Sequence, residues 1–305
     1  MFDWYREYES LLATIQVVMV MFGMGTTLFL RDFQTVLERP RSLIVGSLCQ
    51  FLLVPMLTLL TIHLCRLDAG IALGLILIAA MPGGPLANLF TFLAHGNLAL
   101  SITLTGLGTL LGLVTIPIML NTFAHGYLPE NVVMPVDMIL IDIALYLLLP
   151  VGAGMIVRKL APKAVPFLST WLVRCGLIIL ILMVVGSLGS GRIVPLSYGI
   201  MTPLIIIILC LCIQNLSMLI FLLFRWSVAD QTAVGVSVTI RNINLALLLA
   251  TRLFPASAQT DSHSLGGGVL YVILFWGALS LIVCVPTIFV QRRMLSLETL
   301  RLQSQ

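Results

Sequence analysis

Along the chain, long apolar runs alternate with short polar joints, and the runs fall at 11–30, 42–64, 70–95, 98–123, 134–157, 166–190, 200–224, 229–253 and 266–291. Each reaches the roughly 20 residues that an α-helix needs to cross a hydrocarbon layer. The pattern predicts an all-α polytopic membrane protein of nine transmembrane helices. Two runs are interrupted near their middles. The third carries Met81-Pro82-Gly83-Gly84-Pro85, in which proline removes backbone donors and glycine weakens helix. The eighth carries Ser237-Val238-Thr239-Ile240-Arg241-Asn242-Ile243-Asn244, a polar, partly β-branched stretch with an arginine inside it. Such breaks are tolerated at membrane depth only within protein or a wet cavity. They are expected to expose carbonyl ends that suit cations and amide ends that suit anions.

A weak internal repeat accompanies the breaks. Each broken run follows one that holds a Leu-Cys pair and a nearby glutamine, LCQFLLVP at 48–55 and LCIQNLSM at 211–218, and precedes one further run. The broken runs are five spans apart, so equivalent helices cross in opposite directions, which is the inverted five-helix repeat of secondary transporters. On that reading the first repeat lacks its opening helix.

Composition narrows the class. Of 305 residues 60% are apolar and 9% charged, with a mean hydropathy of +1.13, against about 25% charged in a soluble globular chain. An ordinary soluble enzyme is excluded. The net charge of +4 lies in short joints, so it points to orientation in a lipid bilayer and not to a nucleic-acid face. Alternate threading puts Arg31, Arg39, Arg41, Arg158, Lys159, Lys163, Arg225, Arg292, Arg293 and Arg301 on one side, and only Arg6, Arg66, Arg192 and the edge residue Arg252 on the other. The positive-inside rule then places the N-terminus outside and the C-terminus in the cytoplasm. MFDWYREYES at 1–10 lacks the basic region of a secretory signal, so the first apolar run is expected to stay. A bacterial inner membrane is the expected setting. Six scattered cysteines and four histidines show no metal-ligand spacing and are expected to pack or to sit at interfaces.

At MPGGPLANLFTFLAHGNLALSITLTGLGTLL, 81–111, the chain resembles the bile acid:sodium symporter family, and the likeness extends through MFGMGTTLFLRDF at 21–33, Arg39-Pro40 and CQFLLVPML at 49–57 to the eighth run. The resemblance implies a nine-helix member in which broken helices cross inside a core domain, 42–123 and 200–291, that moves against a panel domain, 11–30 and 134–190. It also implies sodium-driven symport of a small organic anion. For the first cation site it implies Asn88, Ser101 and Thr105, with Ala87 where the family usually has serine and Ser237 where it usually has a glutamate shared by both sites. For the second it implies Gln50 and Asn242, with Arg241 in the place of a glutamine.

Arg241 carries the heaviest consequence. A guanidinium stays charged and is costly at membrane depth unless paired or wet. Two unit charges at about 4 Å interact by roughly 4 kcal/mol at an effective dielectric near 20, which is enough to weaken a neighbouring cation site. Arg241 is therefore read as a built-in cation, leaving transport sodium-independent or coupled to one ion at Asn88, Ser101 and Thr105. With Asn88 and Asn242 at half-helix N-termini it would also bind a substrate carboxylate.

Plainer roles stand beside these. Arg241 can pair with Asp142 or Asp137 of the fifth run, whose own roles stay open. Arg174 near the inner end of the sixth run is expected to snorkel. Gln50 and Gln214 can be interhelical glue, Asn88 a cap, and Ser101 and Thr105 can bond their own backbone. No zinc-protease motif, phosphate-binding loop or facing carboxylate pair argues for an enzyme. The rivals are a non-transporting receptor on the same fold, a channel, or a fully sodium-dependent symporter, with oligomeric state left open.

Overall fold

The computed structural model describes residues 3–28, 40–128, 135–191, 193, 198–223, 226–255 and 265–303, and among them all regular structure is helical. The elements are α1 (Asp3–Gly25), α2 (Pro40–Cys65), α3 (Ala69–Ala80), α4 (Pro85–Leu93), α5 (Leu98–Phe123), α6 (Val136–Leu160), α7 (Val165–Gly189), α8 (Met201–Leu223), α9 (Val228–Thr239), α10 (Ile243–Leu253) and α11 (Leu265–Gln303). Seven of these (α1, α2, α5, α6, α7, α8 and α11) are long and apolar enough to cross a membrane. The other four form two helix–break–helix pairs, α3 with α4 and α9 with α10, at the two interruptions of the hydropathy pattern. Arg31, Arg39, Arg192, Arg225 and His263 lie outside the described residues.

The first helix starts at Asp3, well before the expected boundary at 11. Its polar opening turn is held by α7, where the buried Tyr5 hydroxyl lies 2.7 Å from Ser187 Oγ and donates to Glu9 Oε1 at 3.1 Å. Hydropathy alone discounts such a turn because it counts the acids and not their partners. At the other end of the chain, α11 runs past its last strongly apolar residues to Gln303.

Small residues set how closely the helices approach, as packing within lipid requires. A Cβ on Gly25 would run into Val151 O, one on Gly154 into Phe22 O, and one on Gly186 into the Tyr5 ring, so α1 sits flush on both α6 and α7. Against α11, α3 lies through Gly74, whose Cβ would come 2.7 Å from Val272 Cβ, and Gly268, whose Cβ would come 3.0 Å from Gly70. At one end of the bundle Asn97 caps α5 by accepting from the Leu100 amide at 3.1 Å. The same side chain donates to Asp230 Oδ1 at 2.7 Å, while Ser42 donates to Asp230 Oδ2 at 2.7 Å. That clamp ties the starts of α2, α5 and α9 together.

Helix α2 is not α-helical throughout. Cys49–Leu53 form a π-turn in which the Val54 amide donates to Cys49 O, one residue beyond its usual acceptor Gln50 O. The next residue able to serve that carbonyl is Pro55, which has no N–H. Gln50 O is thereby released from its own helix. The device recurs in α6, where the Leu149 amide donates to Ala144 O and Pro150 follows.

Candidate functional site

The two breaks cross and pair with each other. Helix α3 ends at Met81 in an extended conformation, and Gly83 forms an isolated antiparallel bridge with Arg241. Gly84 N donates to Ile240 O at 2.8 Å, and Asn242 N donates to Pro82 O at 2.9 Å. The sequence led us to expect these break ends to be open to ions and anions; instead, two of the amides are consumed by the crossing itself, because each break is short enough to serve the other as a strand. Gly84 makes the approach possible, since a Cβ there would lie 2.6 Å from Arg241 O.

On the α2 side of the crossing lies Arg241, the largest buried cation, 1% exposed. Its Nη1 donates to Met81 O at 2.9 Å and its Nη2 to Gln50 O at 3.0 Å. Both acceptors are carbonyls that their own helices do not use: Met81 O closes α3 at the break, and Gln50 O is the one released by the π-turn and Pro55. The guanidinium thus bridges two carbonyl oxygens of different helices. The ion pairs weighed for it do not form. Asp142 Oδ2 lies 4.0 Å from Arg252 Nε, and Asp137 is exposed. The Gln50 side-chain amide, buried beside this cluster, has no hydrogen-bond partner at either end.

On the α5 side the groups are neutral. Ser101 Oγ donates to Asn88 Oδ1 at 2.8 Å and lies 3.1 Å from Ser237 Oγ, Thr91 donates to Ser101 Oγ at 3.2 Å, and Thr105 Oγ1 reaches Asn88 Oδ1 at 3.3 Å and Ser101 O at 2.8 Å. Asn88 is not a cap, because Gly84 occupies the cap of α4. Oxygen donors of this kind suit a hard monovalent cation, whereas the α2 side already carries a positive charge. Ala87 is buried beside them and Ser237 takes part in the network, so among the described residues no carboxylate enters it. Gly83 sits between the two sides, where a Cβ would meet Ser237 O at 3.0 Å, Thr105 Oγ1 at 3.6 Å and Gln50 Oε1 at 3.7 Å.

Asn242 is placed differently from Asn88. Its Oδ1 caps α10 by accepting from Leu245 N at 3.2 Å, and its Nδ2 donates to Met21 Sδ at 3.7 Å on α1. Gln214, the repeat counterpart of Gln50, donates to Thr287 Oγ1 at 2.7 Å and ties α8 to α11.

Between the crossing and the α1–α7 face lies a cavity of about 780 Å³. Half of its lining is leucine, valine and isoleucine, and its polar points are Gln16, Thr27, Ser169, Thr170, Arg174, Arg241, Asn244 and Ser280. Among the described residues its lining holds no carboxylate. Neither Asn88 nor Asn242 lines it, and the two terminal nitrogens of Arg241 are committed to carbonyls. Sequence reasoning missed Gln16, Asn244 and the cavity position of Arg174. The spacing of Thr170, Val173, Arg174, Leu177, Ile181 and Val184 along one helix face was the available signal.

Apolar helices wrapped around two crossing, broken ones, with a polar pocket at the crossing and a cavity beside it, are the build of a membrane transporter. The model of the sodium bile acid symporter family matches residues 14–194, and the chain belongs to that family. The chain is 32% identical over 276 residues, 88% of its length and 84% of the relative's, to an uncharacterized sodium-dependent transporter of Bacillus subtilis. It is 26% identical, over 84% of its length and 65% of the relative's, to a probable chloroplastic sodium/metabolite cotransporter of Arabidopsis thaliana. A human sodium/bile acid cotransporter matches at 30% over 55% of the chain and 40% of its own length. These similarities bring sodium into consideration as a coupling ion.

Proposed function

We propose that the protein carries a small organic anion across a bacterial inner membrane by alternating access, with Arg241 standing permanently where a second coupling cation would sit. One observation carries this reading: the Arg241 guanidinium rests on Met81 O and Gln50 O, the carbonyls that a bare cation would need. A sodium ion at the same place would meet a full positive charge at contact distance. Asn88, Ser101 and Thr105 remain able to hold one sodium ion, which makes coupling to a single ion the preferred stoichiometry. Nine crossings result when each helix–break–helix pair counts as one span. The N-terminus is then outside, and the turn with Arg158, Lys159 and Lys163 faces the cytoplasm. Helices α1, α6 and α7 form the panel, and the remaining helices form the core that moves against it, with the cavity between them as the substrate path.

The test is uptake into proteoliposomes with sodium, potassium or choline outside. Saturable uptake that accelerates counterflow, with a Hill coefficient for sodium of about one or no sodium dependence at all, is the expected result. Obligatory coupling to two sodium ions sinks the resident-cation reading. Ligand binding without flux makes the protein a receptor, and flux that does not saturate makes it a channel.

A further inference from the structure

A pair of opposite charges joins α6 to α10. Asp142, in the second turn of α6, is buried, and its Oδ2 lies 4.0 Å from Nε of Arg252 in the last turn of α10. The guanidinium carbon of Arg252 also sits 5.7 Å from the centre of the Tyr146 ring. Asp142 and Tyr146 are four residues apart across the start of the α6 π-turn, close to one full turn, so both meet Arg252 from one face of α6. Neither Asp142 Oδ2 nor Arg252 Nε has a hydrogen-bond partner, so the attraction between them is coulombic, with no formed hydrogen bond to break. Such an interaction holds two surfaces together and still lets them part.

The cavity lies toward the other end of the molecule. It reaches the α6–α7 turn at Thr27, just past α1, and at Ser169 and Thr170 in the second turn of α7, and Thr27 and Thr170 are exposed there. Among the described residues nothing of α6 lines it, and α10 contributes only its first two residues, Ile243 and Asn244. The panel helices and the crossing are thus parted at the turn end, while α6 and α10 stay in contact at the opposite end. Helix α10 connects the two places, because its first turn is capped by Asn242 beside Arg241 and its last turn carries Arg252. A shift of the crossing relative to α6 therefore pulls directly on the Asp142–Arg252 pair.

We propose that Asp142 and Arg252 form a latch between panel and core, closed when the cavity is open at the α6–α7 turn and parted when it opens at the opposite end. This rests on the transport reading above, which supplies the two moving bodies, and it assigns the contact that sets the balance between their arrangements. Both contacts of Arg252 are with α6, to a carboxylate and to an aromatic face, so they are lost together and made together. That gives the motion two discrete end states. Weakening the latch shifts the population toward the arrangement in which it is parted.

The test reads both ends of the molecule by amide hydrogen exchange and mass spectrometry on the protein in nanodiscs, with no substrate added. Asp142→Asn should speed exchange in Val136–Ile143 and in 248–253 by about tenfold, a factor between the small worth of an exposed ion pair and the larger cost of breaking a buried one. The same variant should slow exchange at 165–174 by a similar factor, because the motion that opens one end closes the other. Asp142→Cys/Arg252→Cys removes both charges and should behave alike until a bis-methanethiosulfonate reagent links the two thiols. The linked protein should return to wild-type rates at both ends, and reducing the link should undo that return. Wild type treated with the same reagent controls for the native cysteines. If Asp142→Asn melts far below wild type, the linked double variant still decides, because its covalent tie replaces the pair. Unchanged rates at both ends in Asp142→Asn and in the unlinked double variant overturn the latch. Faster exchange at the α6–α10 contact with no change at 165–174 also overturns it, since the pair is then a local brace. Every rate is read without substrate, so an absence of saturable flux in proteoliposomes fails the transport reading alone.

Discussion

The two sides of the helix crossing are built from the same backbone event and hold opposite electrostatics. On the α2 side, two carbonyl oxygens freed by a break and by a π-turn are spanned by the Arg241 guanidinium. On the α5 side, Asn88, Ser101, Thr105 and Ser237 bond only to neutral neighbours. The first side carries its own charge; the second is a ring of hydroxyls and an amide whose bonds are exchangeable for those of an ion. A carrier that needs some of its binding energy to report an ion gradient can keep one side fixed and leave the other responsive.

Removing the fixed charge should produce the largest effect. Arg241→Met leaves Met81 O and Gln50 O without donors in a buried site, at about 2 kcal/mol for each buried carbonyl, or about 4 kcal/mol together. The expected reading is a sharply lower apparent melting temperature in detergent. Arg241→Gln should lose less, and sodium chloride but not choline chloride should restore part of it, since a ligand that binds only the folded state stabilises it. A melting temperature unaltered in both variants removes the contrast between the two sides. Next in size is Gly84→Ala, which presses a methyl against Arg241 O at the bridge and should cost about 2 kcal/mol by overpacking. It should also slow uptake, because it separates the two breaks that hold both sides. The smallest effect belongs to the neutral side: Thr105→Val should cost about 1 kcal/mol. Its sharper signature is loss of any stabilisation by sodium that wild type shows, with anion binding retained. If the sodium response survives Thr105→Val and disappears in Arg241→Met, the roles of the two sides are reversed.

Spans and breaks were legible because lipid enforces them. A run of twenty apolar residues has few alternatives, and Pro82, Gly83, Gly84 and Pro85 cannot continue a helix. Arg241 was legible as a cation beside carbonyl ends, but its partners were not, since a backbone carbonyl has no letter of its own. Pro55 was the written trace that a carbonyl one turn back would be free, but the usual helix register points to Phe51 O, and only the π-turn moves the freed carbonyl to Gln50. Helical spacing put Ser101 and Thr105 on one face, and the family resemblance joined Asn88 to them, whereas Asn242 looked equivalent to Asn88 and is a cap. A polar residue at a half-helix start serves the helix first unless another donor does so, and at α4 the proline after Gly84 reduces that demand. Arg174 was read as an interfacial charge, which its exposure fits, but its place on the cavity wall was not legible, because hydropathy registers depth and ignores azimuth. The face shared with Thr170, Val173 and Leu177 was visible, but nothing in the sequence said that α1 and the crossing lay opposite it.

The released carbonyl of Gln50 has a consequence for how such a site changes over generations. Because the Val54 amide is spent on Cys49 O and Pro55 has no N–H, the Gln50 oxygen stays free for as long as the π-turn stands, and neither of those residues is the one at position 241. The seat is therefore inherited independently of its occupant. Glutamine, the residue that the family resemblance places at 241, and arginine differ by one base in their codons, so a lineage can move between borrowing a cation from solution and encoding one in the chain without rebuilding the scaffold. Dependence on an external ion becomes a trait that a single mutation can remove or restore.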